Sequence, residues 1–336
     1  MDAQKPRYSS LGHRGEPPKS VPRILFVKTS SLGDVVHHCP AVSDAARRLA
    51  GAQIDWVVEE SFAGVAALHP AVRRVIPVAL RRWRRALWRP AVWSELLELR
   101  RSLGAERYDA VVDTQGLLKS ALLCTVARGV RHGYDAQSAR EPLAARCYHV
   151  RHAVARAQHA VERNRALSAA ALGYALDEEC DYGLRVEGAP PIEPGGPYAV
   201  LVTMTSRDDK LWPEGRWVQL GRALGSRGLR CILPWGSEAE RLRCERLASA
   251  IGDALVPRRM ALDELARLFG GARGVAGTDT GVTHLAAALG VPTVGIYCGS
   301  DPALTGLYGG ARIRNLGDNG APPATAAVAA ALEGLW

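Results

Sequence analysis

The feature that most constrains this chain is an alternation. Short runs of apolar, β-branched residues are each followed by a longer segment of helical pattern. The runs are Arg23–Val27, Ile54–Glu59, Arg74–Val78, Asp109–Thr114, Tyr198–Met204, Arg230–Pro234, Ala254–Val256, Gly274–Gly277 and Thr293–Tyr297. Between them Ala41–Leu49, Trp93–Leu103, Leu117–Ala127, Trp217–Ser226, Glu238–Ile251, Leu262–Phe269 and Val282–Leu289 have helical length and composition, and Pro323–Leu335 forms a final alanine-rich helix. The stretch after Thr114 reads as helix-rich. Repeated strand–helix units predict parallel sheets covered by helices on both faces, an α/β architecture. The alternation breaks once, at "GAPPIEPGGP", Gly188 to Pro197, where four prolines and three glycines in ten residues exclude a regular element. The expected organisation is an extension over 1–20, a Rossmann-like domain over 21–187, a linker over 188–197 and a second Rossmann-like domain over 198–336. A chain of 336 residues can give each domain its own core.

Composition narrows the class. Hydrophobic residues make up 47% and charged residues 23%, as in ordinary globular proteins. No run approaches 18 apolar residues, so no membrane span is expected. The first twenty residues lack the apolar core of a signal peptide and read as disordered. Seven scattered cysteines without a CxxC spacing suggest reduced thiols in a cytoplasmic protein. The net charge of +9 favours anionic partners, although arginine-rich composition alone gives the same charge. There are only five lysines, and Lys28, Lys119 and Lys210 each follow a strand-like run.

In open parallel sheets, ligands gather at the carboxyl ends of strands. Four stretches there carry chemistry. The first is "VKTSSLGDVVH", Val27 to His37. Gly33 permits a tight turn or a close backbone approach. Asp34 is either the N-cap of the next helix or a general base on the cleft floor. Lys28 is either solvated or aimed at an anion. The second is "TMTSRDDKLWP", Thr203 to Pro213, where Thr205 and Ser206 offer hydroxyls and Lys210 a point charge suited to phosphate. It also reads as a solvated loop capping the next helix. The third is "GTDTGVTH", Gly277 to His284, in which a strand runs into a glycine-flanked loop and a helix start. The free amides of a helix start bind anions, and Thr280 and His284 share one helical face. The fourth is "RRWRRALWR", Arg81 to Arg89. As a helix it sets Arg81, Arg85 and Arg89 on one face and Trp83 and Leu87 on another, with no acid until Glu95. That suits an acidic ligand, a membrane surface or nucleic acid.

These stretches, with "DWVVEE" (Asp55–Glu60), "DTQGLLKSAL" (Asp113–Leu122), "AREPLA" (Ala139–Ala144) and "LPWGSEAER" (Leu233–Arg241), carry a resemblance. From about Arg23 to Trp336 the chain resembles the bacterial ADP-heptose:lipopolysaccharide heptosyltransferases. "TDTG" with its following histidine is shared widely in that family. "VKTSSLGD" with "RRWRR" points to members that add the first heptose of the inner core.

The resemblance implies a B-type glycosyltransferase fold, two Rossmann-like domains facing across a cleft. It implies inverting transfer of L-glycero-D-manno-heptose from ADP-heptose to the Kdo of Kdo-lipid A. The donor is expected in the C-terminal domain and the acceptor in the N-terminal one. Asp34 matches the family's catalytic base. Thr205, Ser206, Lys210, Asp279, Thr280, Gly281 and His284 match positions at the donor phosphates, and Glu240 and Met260 match the ribose and adenine pocket. Ser206 departs from the family's Thr but keeps the hydroxyl. On the acceptor side stand Lys28, Ser30, Ser31, Gly33, Arg81, Arg82, Arg84, Arg85, Gln115, Lys119 and Arg140. No cofactor and no metal are expected, because Asp208-Asp209 beside Lys210 is a poor cation site. Lys210 and the helix start at Thr280 would stabilise the leaving diphosphate instead. The implied location is cytoplasmic, peripheral on the inner face of the cytoplasmic membrane. A later-acting core heptosyltransferase with the same donor and a nucleotide-sugar epimerase of the same fold remain alternatives. A nucleic-acid site is not expected, since no binding motif accompanies the charge.

Overall fold

The structure, a computed structural model, describes residues 21–205 and 207–336. The extension over 1–20 and Ser206 lie outside the described residues. The first half folds as β1 (Arg23–Val27), β2 (Gln53–Glu59), β3 (Val72–Val78), β4 (Arg107–Asp113), β5 (Arg128–Tyr134) and β6 (Val150–His152). The second supplies β7 (Tyr198–Val202), β8 (Arg230–Ile232), β9 (Ala254–Leu255), β10 (Gly274–Thr278), β11 (Thr293–Tyr297) and β12 (Ile313–Gly317). Each set forms one six-stranded sheet with parallel pairings, in the orders β3-β2-β1-β4-β5-β6 and β12-β11-β10-β7-β8-β9. Read from its other edge, the second order repeats the first. Both sheets therefore have Rossmann topology, which reverses direction beside the first strand of each half. The reversal lies between β1 and β4 in one sheet and between β7 and β10 in the other.

The strands are apolar throughout because both faces are covered. Ile24 and Phe26 of β1 point into one buried cluster, with Trp56, Val42 and Leu167. Leu25 and Val27 point into the opposite one, with Val57, Leu99, Leu103 and Leu123. The first of these clusters continues into the second half through Leu265, Phe269 and Leu285. The far face of the second sheet packs on Trp217, Leu220, Leu247, Val328 and Leu332. Residues 173–197 carry no helix or strand.

Three strands were not legible in the sequence, namely β5, β6 and β12, and the first two lie in the stretch read as helix-rich. They sit at or next to the sheet edges and are only partly buried, so they need no apolar pattern. A second correction concerns Arg81 to Arg89. Helix is limited to Leu80–Trp83, and Arg89 is extended before Pro90, which opens the helix Pro90–Gly104. A residue before proline is pushed out of the helical region. Arg81, Arg85 and Arg89 hence share no helical face, yet they line one surface depression with Glu59, Glu60 and Trp88. Nor is the segment free of acids. Arg82 pairs with Glu60 at 3.1 Å and Glu95 at 2.9 Å, and Trp83 Nε1 donates to Glu95.

Candidate active site

The loop after β1 is braced from beneath. Thr29 donates its amide and hydroxyl to Gln115 Oε1 at 2.7 and 2.8 Å. Gln115 Nε2 donates to the Ser30 carbonyl at 2.9 Å, and Lys119 Nζ donates to Ser30 Oγ at 3.0 Å. Gln115 is itself positioned by the turn that ends β4, where Asp113 Oδ1 accepts the Gln115 amide at 2.8 Å. Lys28 is not the solvated lysine that a strand end allows. It is buried, and Nζ donates to the Thr114 carbonyl at 2.9 Å and Asn164 Oδ1 at 3.2 Å. Burial lowers its pKa from 10.5 to about 8, against the opposing pull of Asp34.

That brace presents Asp34. Ser31, not Asp34, is the N-cap of the short helix Leu32–Val36. Asp34 Oδ2 accepts the Ser31 amide at 2.8 Å and the Ser31 hydroxyl at 3.1 Å, a capping box. Arg140 donates to Asp34 Oδ1 at 2.9 Å. The segment that carries Arg140 is tied to the β4 turn by the Glu141 amide, which donates to the Gly116 carbonyl at 3.0 Å; Gly116 itself sits at φ 67°, where a Cβ would stand 3.0 Å from the Tyr134 ring. Burial works to raise the Asp34 pKa, but Lys28, Arg140 and the Ser31 bonds outweigh it and hold the carboxyl below its usual range. The result is an ionised carboxylate in a fixed orientation.

The second half meets it from across the cleft. Lys210 Nζ donates to Asp279 Oδ2 at 2.6 Å, and Ser300 Oγ donates to the same oxygen at 2.5 Å. Thr205 Oγ1 donates to the Asp279 carbonyl at 3.0 Å. His284 Nε2 lies 3.4 Å from Asp279 Oδ1, and His284 Nδ1 lies 3.2 Å from His37 Nε2 of the first half. Burial opposes ionisation of Asp279, yet His284, Lys210 and Ser300 keep its pKa well below normal. Thr280 is the N-cap of the helix Gly281–Ala288, whose start faces the Asp34 helix. The approach is close. A Cβ added at Gly281 would lie 2.6 Å from the Gly33 amide nitrogen.

Between these walls lies a cleft of about 360 Å³. It gathers Ser31, Gly33, Asp34, Arg140, Lys210, Asp279, Thr280, Gly281 and His284 from the sequence candidates. Lys28, Ser30 and Gln115 are buried behind that wall, whereas Lys119 is exposed and reaches Ser30 from its rim. Four residues of the lining were not singled out in the sequence, namely Leu32, His37, Phe62 and Thr305. His37 ends the first motif and could have been noticed there; Phe62 and Thr305 carry no local signal. Ser300 was missed likewise. Arg81 stacks over Phe62, its guanidinium 5.3 Å from the ring centroid, so the arginine segment touches the cleft wall. Arg84 and Arg85 are exposed and pair with no carboxylate among the described residues. Glu240 and Met260 do not line the cleft. Glu240 accepts the Ser237 amide at 3.3 Å in a capping box and the Gly236 amide at 2.7 Å, and Met260 packs against the core. Among the described residues no group of three or more His, Cys, Asp or Glu is placed to hold a metal ion.

The arrangement offers an ionised base on one wall and a cation with a helix start on the other. The chain is similar to known proteins over most of its length. The lipopolysaccharide heptosyltransferase 1 of Pseudomonas aeruginosa is 49% identical over 293 residues, spanning 87% of this chain and 82% of that protein. The Escherichia coli K12 protein of the same name is 47% identical over 290 residues, spanning 85% of this chain and 91% of its own. A solved structure of E. coli heptosyltransferase WaaC with ADP superposes with a TM-score of 0.86 at 42% identity, covering 94% of this chain and all of that one. The same enzyme with ADP-2-deoxy-2-fluoro heptose gives a TM-score of 0.80 at 43% identity, covering 89% and 94%. The model of glycosyltransferase family 9 (heptosyltransferase) matches residues 96–329. With the two facing Rossmann sheets and their shared cleft, these likenesses establish that the chain is a glycosyltransferase and belongs to family 9, the heptosyltransferases.

Proposed function

We propose that this enzyme adds the first heptose of the lipopolysaccharide inner core. L-glycero-D-manno-heptose passes from ADP-heptose to the Kdo of Kdo-lipid A, with inversion at the anomeric carbon, at the inner face of the cytoplasmic membrane. The observation that carries this reading is the opposition of Asp34 to Lys210 and the Thr280 helix start across one cleft. A single displacement needs a base behind the attacking hydroxyl and charge stabilisation on the far side, and it inverts the centre it attacks. The relatives named heptosyltransferase 1, and the WaaC structures with ADP and an ADP-heptose analogue, support the donor and the step.

In this mechanism Asp34 accepts the acceptor's hydroxyl proton late, as C–O bond formation acidifies it. Its lowered pKa keeps it ionised and ready. As the donor bond breaks, charge grows on the diphosphate. Lys210 and the amides at Thr280 and Gly281 stabilise that charge. Asp279 holds Lys210 until the donor arrives, and Thr205, Ser206 and His284 complete the phosphate site. Glu240 and Met260, which match the family's ribose and adenine positions, line the nucleoside pocket beyond that cleft. Arg81, Arg84 and Arg85 meet the acceptor's phosphates and carboxylates, with Arg82 fixed by its two glutamates.

Incubating ADP-heptose with Kdo-lipid A, and weighing both products by mass spectrometry, tests the reading. The expected result is one heptose added to the lipid and one ADP released. An isomerised donor or free sugar without lipid product would instead support the epimerase alternative. Transfer only to an already heptosylated core would support the later-acting enzyme.

A further inference from the structure

Thirteen large hydrophobic side chains are exposed among the described residues, and the second half contributes only Leu242 and Leu304. Six of them fall on one face of the first half. The helices Pro90–Gly104 and Leu118–Val126 lie side by side on one side of the first sheet, with Leu99, Leu103, Leu123 and Cys124 in a shared core. Their opposite faces therefore look outward together. There Trp93 (57% exposed) and Leu97 (53%) are one turn apart, as are Leu118 (38%) and Leu122 (53%). The turn before the first helix adds Leu87 (49%) and Trp88 (76%), and Trp93 Nε1 donates to the Leu87 carbonyl at 2.8 Å, which ties that turn to the helix.

Cations border this apolar surface. Arg89, Arg100 and Arg101 are exposed and pair with no carboxylate among the described residues. The acids of the same helix face elsewhere, since Glu95 and Glu98 line the groove beside Trp83. A two-helix face that carries tryptophans and leucines with arginines at its border matches the interface of an anionic bilayer. Indole rings lodge at headgroup level, and each basic residue adds attraction. No helix among the described residues is long and apolar enough to cross a membrane.

We propose that this face, the outer side of Pro90–Gly104 and Leu118–Val126 with the Leu87–Arg89 turn, docks the enzyme on an anionic phospholipid bilayer. The proposal rests on the reading above only in supposing a lipid-borne acceptor. Its position suits one, because Lys119, between Leu118 and Leu122, reaches Ser30 in the loop that presents Asp34. A sugar headgroup rising from the docked bilayer enters the cleft beside that lysine.

The test is sedimentation of the full chain with phosphatidylglycerol vesicles and with phosphatidylcholine vesicles, both without acceptor lipid. The protein is expected to bind the first and not the second, less tightly as salt rises. Two double variants, Trp88→Ser with Leu97→Ser and Arg100→Glu with Arg101→Glu, are each expected to lower binding about tenfold or more. Both should keep wild-type ADP affinity and wild-type turnover of a deacylated, water-soluble acceptor, which excludes misfolding. Unchanged vesicle binding in both variants would overturn the proposal. So would binding that appears only when acceptor lipid is present, or a concentration-dependent dimer that buries Trp88 in the absence of lipid. Vesicle docking without heptose transfer would sink the proposed reaction and leave this face standing; transfer without docking would do the reverse.

Discussion

The two halves repeat one topology and do opposite things with it. At the reversal of the first sheet the strand-end loops are locked to each other. Thr29, Ser30, Gln115 and Lys119 form a closed hydrogen-bond set, and Lys28 is buried beneath it. At the reversal of the second sheet the equivalent loops hold a charge pair, Lys210 with Asp279, beside an open helix start. Two parallel sheets thus provide the same ligand position twice, and the loop residues decide its sign. One position presents a fixed anion that can take a proton. The other presents a cation held by a carboxylate beside the open helix start.

The sharpest way to break this contrast is Asp34→Asn. Asparagine keeps the capping-box acceptor for Ser31 but cannot take a proton or pair with Arg140 as an anion. Turnover at saturating donor and acceptor is expected to fall about 10³-fold, with ADP affinity and unfolding midpoint close to wild type. Near-normal turnover would reduce Asp34 to a capping residue. On the opposite wall, Lys210→Ala should cost about 10²-fold in kcat/KM for the donor. It leaves Asp279 as an uncompensated anion where the diphosphate belongs, so donor affinity should drop as well. An unchanged dissociation constant for ADP would contradict that assignment.

Gly281→Ala probes the seam between the halves rather than either wall. The new methyl would stand 2.6 Å from both the Gly33 nitrogen and Leu32 Cβ, so the walls must part. Overpacking of this kind costs about 1–3 kcal/mol, and turnover should fall about tenfold. Solution scattering should report a wider molecule; wild-type turnover with an unchanged profile would mean that the seam is slack.

The smallest effect is a pH dependence from the locked side. Lys28 has a folded-state pKa of about 8 against 10.5 unfolded. Between those values the unfolded chain binds more protons, so this residue's contribution to stability rises with pH through that window and is flat below it. The difference in unfolding free energy between wild type and Lys28→Met should therefore grow in favour of wild type from pH 8 to pH 10 and stay constant below about pH 7. A constant difference across the whole range would mean that Lys28 is not buried as a cation.

The central strands were legible because burial on both faces demands unbroken apolar runs, as in Ile24–Val27 and Thr293–Tyr297. The strand Val150–His152 at the sheet edge and its neighbour Arg128–Tyr134 are only partly buried and carry charges, so no pattern betrayed them. Arg81 to Arg89 misled for the reverse reason. A helical spacing was present, but Pro90 ends that possibility and Glu60, distant in sequence, supplies a partner that local reading cannot see.

By itself the sequence determined the two parallel sheets and the loops at their carboxyl ends, and it put Asp34, Lys210 and the Thr280 helix start in those loops. Those follow from local rules, since side-chain type, glycine position and hydrophobic period act within a few residues. The tertiary structure alone decided that Lys28 is buried, that Glu240 serves a capping box, that Arg140 fixes Asp34, and that His37 meets His284 across the seam. Each of these joins residues or environments set by packing between elements far apart in the chain. Burial, charge pairing and proton affinity depend on which neighbours arrive, and only the folded arrangement of the two sheets supplies them.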